Sequence, residues 1–385
     1  SGYSSQYASY TLDAFADVVM NAPVTLREKP VETTARRIKT KHGYINIENG
    51  KIVTPYPDFD PLTITKEVRR YSIDLAPKFL WSRGRTLDAV VRAGVYRYLQ
   101  FRCPERSYMF SAKTNSLQRV PCSRQEIFNS KNIPPLDKRV LMKFMSSLME
   151  PSDNDLEERK TWNEKPFVDF LAYRKVKGYL KDFILYSVAF LESNQDIEEN
   201  QITTEIGIQR LQTFMNSFGV YGSTPWLYPM YGVGDVPQAF SRYSSVYGTT
   251  FYLMSHATHL VEEDNRIQQI ITNHGQSLTC KHLVFNSDHI PELVTRTGYA
   301  YLWSLCLTSS NFTSRLLAIT DISLDTQKED DFMALVFPPT NGSTVFGVQM
   351  DDTLNVSPKG KCIWTPQTNS TNPPSFVVFV DQGQF

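Results

Sequence analysis

Apolar residues recur at three- and four-residue spacing over long parts of the chain, which is the period of an amphipathic helix. Between Ile73 and Phe101 this pattern predicts two helices separated at Gly84. After residue 122, two prolines precede a single apolar stripe, in the position that a first helical turn tolerates. The stripe consists of Leu136, Val140, Leu141, Phe144, Met145 and Leu148.

Two further helical patterns follow this stripe. The first extends from Phe167 to Leu191 and is divided at Gly178. The second places its apolar residues on one side and stops at Gly219, a C-terminal cap. We therefore expect a helical domain over residues 122–219.

Shorter apolar runs outside this domain predict strands. A strand-like run also follows the turn-forming pair Asn49-Gly50. Strands on both sides of a helical segment indicate one discontinuous sheet domain, residues 1–121 and 220–385, with the helical domain inserted. The later runs are Phe251–Met254, Gln268–Ile271, Leu283–Phe285, Leu316–Ile319, Phe332–Phe337 and Phe376–Val380.

The composition is that of a globular protein, with 41% hydrophobic and 12% aromatic residues. Lysine and arginine balance aspartate and glutamate, so the formal net charge is +0 and nucleic acid is not an expected partner. The five cysteines are widely spread without a CxxC pair, which favours a reducing compartment. Neither a secretion signal nor a membrane span is expected, which points to the cytoplasm.

Sequence motifs for a cofactor, a metal ion or catalysis are weak. Gly232-Val233-Gly234 is the nearest match to a dinucleotide fingerprint, but Pro237 takes the third glycine position and no hydrophobic strand is expected directly before it. His256 and His259 lie three apart in a strand-like run, where satisfied histidines are favoured over a metal site. We expect no catalytic residues, no metal and no cofactor.

The stretch Tyr228–Arg242, YPMYGVGDVPQAFSR, is dense in tyrosine, glycine and proline. Its prolines and glycines predict a shaped loop rather than a regular helix or strand. Tyrosine and arginine combine a large contact area with a polar end, as protein-binding surfaces require. A tightly packed hinge between domains is the alternative interpretation.

This stretch resembles the Rab-binding platform of the Rab GDP-dissociation inhibitor and Rab escort protein superfamily, whose motif is YPLYGxGELPQxFxR followed by YGGxY. The blocks YSIDLAPKFLWSRG (Tyr71–Gly84) and YRYLQF (Tyr96–Phe101) are similar to two further family segments. The resemblance implies a FAD/NAD(P)-binding-like α/β fold of mixed sheet and helix without redox activity. It also implies a set of Rab-binding residues: Tyr3, Tyr231, Asp235, Arg242, Thr250 and Tyr252.

The block Val120–Met145 resembles the escort branch, which carries FNSK at this place, whereas the inhibitors lack it. In that branch the phenylalanine and an arginine eleven positions later contact the transferase, which implies Phe128 and Arg139 here. An aromatic anchor and a forked cation near the start of a helix can form a compact pair of dominant binding residues. Without the family, Phe128 would be a core residue and Arg139 a solvated helix position.

The resemblance implies a non-catalytic escort protein that binds GDP-bound Rab, presents it to the Rab geranylgeranyl transferase heterodimer, and touches membranes only in transit. The alternative is a flavin-dependent oxidoreductase of the same fold. Family segments are expected to lie before Ser1 and after Phe385, so we expect a sheet domain incomplete at both ends. An apolar groove for the geranylgeranyl chain is expected in the helices, at Leu141, Phe144, Met145 and Leu148.

Overall fold

The architecture is a mixed sheet combined with a cluster of helices, seen in a computed structural model. The structure describes residues 9–10, 36–39, 50–53, 68–130, 133–253, 255, 257–263, 266–284, 312–321, 323–324, 332–339, 342–370 and 376–380. Tyr3, Met254, His256 and Phe285 lie outside these ranges, so the predictions made for them stay predictions.

Most helices lie in the middle of the described chain, and two of them end as the sequence pattern predicts. Gly178, at φ +56°, separates α5 from α6, and Gly219, at φ +72°, follows the end of α7. The helix α6 continues as a π-helix over Phe183–Val188. The α-helices are α1 Arg85–Arg92, α2 Arg124–Asn129, α3 Pro135–Met149, α4 Asp153–Trp162, α5 Phe167–Tyr173, α6 Tyr179–Asp182, α7 Thr204–Ser217 and α8 Asp235–Val246.

The strands are short, and those of the first part of the chain precede the helices. They are β1 Ser9–Tyr10, β2 Arg36–Lys39, β3 Gly50–Val53, β4 Ile73–Asp74, β5 Leu80–Trp81, β6 Phe101–Arg102, β7 Arg106–Ser111 and β8 Ser116–Arg119. The later strands are β9 Trp226–Pro229, β10 Ala257–Glu263, β11 Arg266–Thr272, β12 Ser277–Leu278, β13 Phe312–Thr320, β14 Met333–Phe337, β15 Val345–Met350, β16 Cys362–Trp364, β17 Gln367–Ser370 and β18 Phe376–Val380.

The largest sheet within the described ranges has the order β3-β18-β13-β16-β15-β14-β7-β8, with β17 beside β13 and β15. β14 pairs in parallel with β7 and antiparallel with β15. Met333, Ala334, Leu335 and Val336 are all buried, as expected of a central strand that is covered on both faces. The runs predicted at 316–319, 332–337 and 376–380 all form strands of this sheet.

The helices pack around α7, which contacts α3, α4 and α5. At the crossing with α5, Gly207 faces the ring of Phe167, and a Cβ atom added at Gly207 would lie 2.5 Å from that ring. Close approach of the two helices therefore depends on the missing side chain. The ring of Phe167 itself is completely buried.

Aromatic side chains join the helices to β9, which pairs with β5 and β6 in a separate small sheet. Trp226 of β9 lies 5.1 Å from Phe190, 5.8 Å from Phe214 and 5.6 Å from Phe79, measured between ring centroids. One buried cluster includes helical residues together with Trp226 of β9 and Val336 of β14. The predicted domain boundaries at 122 and 219 stay a prediction, and this cluster packs across them.

Three predictions about secondary structure were wrong. Residues 73–83 do not form a helix, because Ile73–Asp74 and Leu80–Trp81 pair with distant strands, β1 and β9. Phe251–Leu253 and Leu283–Val284 do not form strands, since no partner strand lies beside them among the described residues. Their side chains are largely exposed, whereas a strand of a packed sheet would bury every second residue.

Candidate protein-binding surface

The stretch predicted to be a shaped loop is mostly regular. β9 ends at Pro229, a turn covers Met230–Gly234, and α8 begins at Asp235. Pro237 lies in the first turn of α8, where its missing N–H would have no intrahelical acceptor, so the proline does not prevent the helix. The prediction of irregular backbone was wrong for α8. A buried strand, β9, does lie upstream of Gly232, and the turn residues Met230 and Tyr231 separate the two.

A buried carboxylate fixes the turn before α8. Asp74 is 4% exposed, and its Oδ2 atom accepts hydrogen bonds from the Tyr228 hydroxyl and from the Val233 N–H, the latter at 2.7 Å. Burial, and then the negative charge of Asp74, raise the pKa of Tyr228 well above its usual value. This carboxylate therefore connects two of the sequence blocks on which the resemblance rests.

The same turn presents Tyr231 to solvent. Its backbone is left-handed, with φ +67°, and hydrogen bonds hold it on both sides. The Tyr231 N–H donates to the Leu354 carbonyl at 2.9 Å, and the Ser72 hydroxyl donates to the Tyr231 carbonyl at 2.6 Å. A left-handed tyrosine is unfavourable unless its surroundings hold it, so these contacts determine where the exposed ring points.

Asp235 and Arg242 lie seven residues apart on α8, which places them two turns apart on one side of the helix. Asp235 occupies the first helical position, where the helix dipole favours a carboxylate, while partial burial raises its pKa. Arg242 is exposed, and its guanidinium lies 5.1 Å from the centroid of the Tyr98 ring. Ala239 between them is buried against Val90, Val95 and Leu99.

The last residue of α8 and the segment after it expose a run of large apolar side chains. Val246 is 70% and Tyr247 73% exposed, and Phe251, Tyr252 and Leu253 are exposed as well. Thr250 lies exposed within this run. We call Met230–Gly234, α8 and Tyr247–Leu253 together the α8 surface. It includes every predicted Rab-binding residue except Tyr3.

Phe128 and Arg139 lie on two consecutive helices, α2 and α3, and both side chains are exposed. Phe128 is 71% exposed, so the interpretation as a core residue was wrong. The Lys138 ammonium donates to the Phe128 carbonyl at 2.7 Å, which ties the end of α2 to the first turns of α3. Leu136, placed in the buried stripe by its spacing, is 75% exposed at the start of α3.

A family model described as GDP dissociation inhibitor matches residues 57–316. The chain belongs to this family. Relatives of the GDP dissociation inhibitor family include the human Rab proteins geranylgeranyltransferase component A 1, 30% identical over 79% of this chain and 45% of its own length. Component A 2 of the mouse is 31% identical over 73% of this chain and 43% of its own length. The chain therefore spans a little under half the length of these relatives.

Solved structures support the fold expected of a GDP dissociation inhibitor. Rab GDI from Plasmodium falciparum has a TM-score of 0.64 at 20% identity, covering 82% of this chain and 72% of its own. An oxidoreductase from Methanosarcina mazei has a TM-score of 0.53 at 11% identity, covering 78% of this chain and 68% of its own. The predicted mixed fold of the flavoprotein type is confirmed, and at these identities both likenesses extend to the fold alone.

The residues predicted for a lipid groove lie on α3. Leu141, Phe144 and Leu148 are buried in the main cluster, and Met145 is half-buried at its edge. A cavity of about 540 Å³ does lie among the helices, but none of these four residues lines it. Its lining includes Asp169, Lys181, Asp182 and Asp196 besides Val168 and Val176, so its character is mixed rather than apolar.

The described residues contain no group of three His, Cys, Asp or Glu side chains arranged to hold a metal ion. His259 lies in β10, where its ring Nδ1 is 3.2 Å from the Thr258 hydroxyl oxygen.

No helix of the described part of the chain is long and apolar enough to cross a membrane. Sequence reasoning missed the contacts of Asp74 with Tyr228 and Val233 and of Tyr98 with Arg242, although Asp74 and Tyr98 both lie in blocks that resemble the family.

Proposed function

We propose that this chain binds Rab GTPases in their GDP-bound state through the α8 surface and presents them to Rab geranylgeranyl transferase, as an escort protein does. Membership of the GDP dissociation inhibitor family supports the first step. The relatives named geranylgeranyltransferase component A support the second. In this proposal the chain is an accessory protein without catalytic residues or a cofactor, and it acts in the cytoplasm with transient delivery to membranes.

The arrangement of α8 carries the proposal. Asp235 and Arg242 lie on one side of a helix whose preceding turn is held by Asp74, and exposed aromatic side chains follow it. Charged groups beside an apolar area are typical of surfaces that bind another protein reversibly. The restrained turn lowers the conformational entropy that a partner must remove on binding.

The proposed Rab contact predicts a preference for one nucleotide state. We expect the chain to retain Rab loaded with GDP on gel filtration and to retain Rab loaded with a non-hydrolysable GTP analogue poorly. Arg242→Ala should weaken binding of the GDP form about thirtyfold, the effect of roughly 2 kcal/mol at a dominant binding residue. Arg92→Ala, at an exposed position of α1, is the matched control and should bind normally. Equal retention of both nucleotide forms would contradict the proposal.

The transferase contact is proposed at the end of α2 and the start of α3. Exposure of Phe128 costs solvation free energy that burial in a partner would recover. Arg139 follows Lys138, whose ammonium holds the Phe128 carbonyl, so the exposed ring at the end of α2 lies close to the start of α3, where the guanidinium is. Phe128 and Arg139 therefore support the activity of an escort protein, rather than that of a GDP dissociation inhibitor without a transferase contact.

The geranylgeranyl chain is proposed to insert beside α3. Leu141, Phe144 and Leu148 are buried among other helices, so the lipid would have to replace contacts that these side chains now make. Met145 at the edge of the cluster is the side chain that can move with least loss of packing, and its flexible thioether suits an irregular chain.

A charge at Met145 tests this lipid site. We expect Met145→Asp to weaken binding of a fluorescent geranylgeranylated Rab about tenfold, because a carboxylate there opposes apolar contact with the lipid. Binding of unprenylated Rab should not change. Ser146→Asp, at the next half-buried position of α3, is the matched control. If a folded Met145→Asp protein binds prenylated Rab as tightly as the parent, the lipid lies elsewhere.

A further inference from the structure

We propose that Tyr98 is a positioning residue that holds the Arg242 guanidinium in the orientation used for Rab binding. The inference rests on the proposed function, because it concerns how one residue of the α8 surface is prepared for its partner. It is carried by the stacking of Arg242 on Tyr98, with a distance of 5.1 Å between the guanidinium carbon and the ring centroid.

The Tyr98 ring is itself packed against neighbouring side chains. It belongs to the turn Val95–Tyr98 and packs against the cluster that buries Val95, Leu99 and Ala239. On α8 the next residue after Arg242, Tyr243, lies 6.1 Å from Tyr98 between ring centroids. Tyr98 is thus half-buried and held by α8, whereas Arg242 is exposed.

The stack continues along α8. Tyr243 and Tyr247 lie edge to face at 5.0 Å, and their hydroxyl oxygens are 2.9 Å apart. Tyr98, Arg242, Tyr243 and Tyr247 therefore form a continuous row that joins the turn Val95–Tyr98 to α8 and the residue after it. A row of this kind restricts the side-chain torsions of its members before any partner arrives.

The physical need for such a support follows from the chemistry of arginine. An exposed arginine side chain samples many rotamers, and fixing it on binding costs conformational entropy. A ring face attracts the flat guanidinium and leaves its N–H groups free to donate to a partner. Tyr98 therefore reduces the entropy lost when Arg242 binds, without contacting the partner itself.

The aromatic face of Tyr98 is the required feature, and its hydroxyl is not. No hydrogen bond of the Tyr98 hydroxyl is found within the described part of the chain. Tyr98→Phe should therefore keep the support, whereas Tyr98→Leu keeps apolar volume in the cluster and removes the ring. The pair of variants separates stacking from simple packing.

Two measurements on the full chain test the inference. In titrations with unprenylated GDP-loaded Rab, we expect Tyr98→Leu to weaken binding about threefold to fivefold and Tyr98→Phe to change it less than twofold. Tyr98→Leu should have no further effect when Arg242 is already alanine, because Tyr98 acts through that side chain. In NMR spectra without Rab, the ring current of residue 98 should shift the Arg242 Nε–H upfield in the parent and in Tyr98→Phe, but not in Tyr98→Leu.

The outcomes distinguish this inference from the proposed function. If Arg242→Ala weakens Rab binding but Tyr98→Leu does not, the positioning role is overturned while the Rab contact stands. The same conclusion follows if Tyr98→Leu weakens Rab binding equally in the parent and in the Arg242→Ala protein. If Arg242→Ala binds Rab normally, the Rab contact fails and the inference fails with it. The NMR shift needs no partner, so absence of the shift in the parent protein overturns the stacking on its own.

Discussion

Replacing Phe128 with alanine is expected to lower transferase-dependent prenylation of Rab about a hundredfold without destabilising the protein. The ring is 71% exposed, so its removal leaves no cavity, and the melting temperature should stay within about 2 °C of the parent. An aromatic anchor at the centre of an interface is commonly worth about 3 kcal/mol of binding free energy. The measurement is the initial rate of lipid transfer at limiting concentrations of the chain.

A matched control and a second assay make this prediction specific. Leu156→Ala, at an exposed position of α4, removes apolar surface without touching α2 or α3 and should leave prenylation unchanged. Phe128→Ala should bind GDP-loaded Rab as the parent does, because Phe128 is not part of the α8 surface. A fall in melting temperature of several degrees, or a normal rate of lipid transfer, would be evidence against the proposed transferase contact.

Replacing Asp74 with alanine is expected to destabilise the protein by about 3–5 kcal/mol in urea unfolding at neutral pH. The variant leaves the Tyr228 hydroxyl and the Val233 N–H buried without their acceptor, and each such group costs about 1–3 kcal/mol. Because the turn before α8 would lose its restraint, Rab binding should fall as well. Asp88→Ala, at an exposed position of α1, is the control and should change stability by less than about 1 kcal/mol.

Milder variants of the same contact should follow a definite order. Asp74→Asn keeps one acceptor oxygen at the site and should lose less stability than alanine. Tyr228→Phe removes one donor and keeps the carboxylate, so a loss of about 1 kcal/mol is expected. If Asp74→Ala and Tyr228→Phe cost the same small amount, the buried carboxylate does not hold the turn.

Local patterns predicted the elements whose formation depends mainly on their own residues. The periodicity of α3 and α7, the interruption at Gly178 and the end at Gly219 all follow from neighbouring side chains. The predicted run Phe332–Phe337 was correct except for its first residue, because β14 is a central, buried strand and such strands are apolar throughout. The run Phe376–Val380 was also correct and forms β18, which pairs in parallel with β13. The pattern failed over residues 73–83, where two short strands accidentally place apolar residues at helical spacing.

The candidate binding surface was likewise predicted only in part from its own residues. The motif Tyr228–Arg242 identified the location of the α8 surface, but its prolines and glycines were taken to exclude a helix. Pro237 lies in the first turn of α8, where a backbone N–H would have no acceptor within the helix. The presence of proline in the motif therefore did not exclude a helix. The lipid-groove residues show the reverse case, because their spacing predicted one apolar side but not how deeply the neighbouring helices cover it.

The sequence by itself determined the family of this protein, the helices of its middle part and the segment that carries its candidate binding surface. Those features are local, since periodicity and motifs are properties of consecutive residues. Only the tertiary structure decided that Phe128 and Leu136 are exposed and that Asp74 meets Tyr228, 154 residues away. Burial and long-range contact depend on which distant segments pack against a side chain, and no stretch of consecutive residues contains that information.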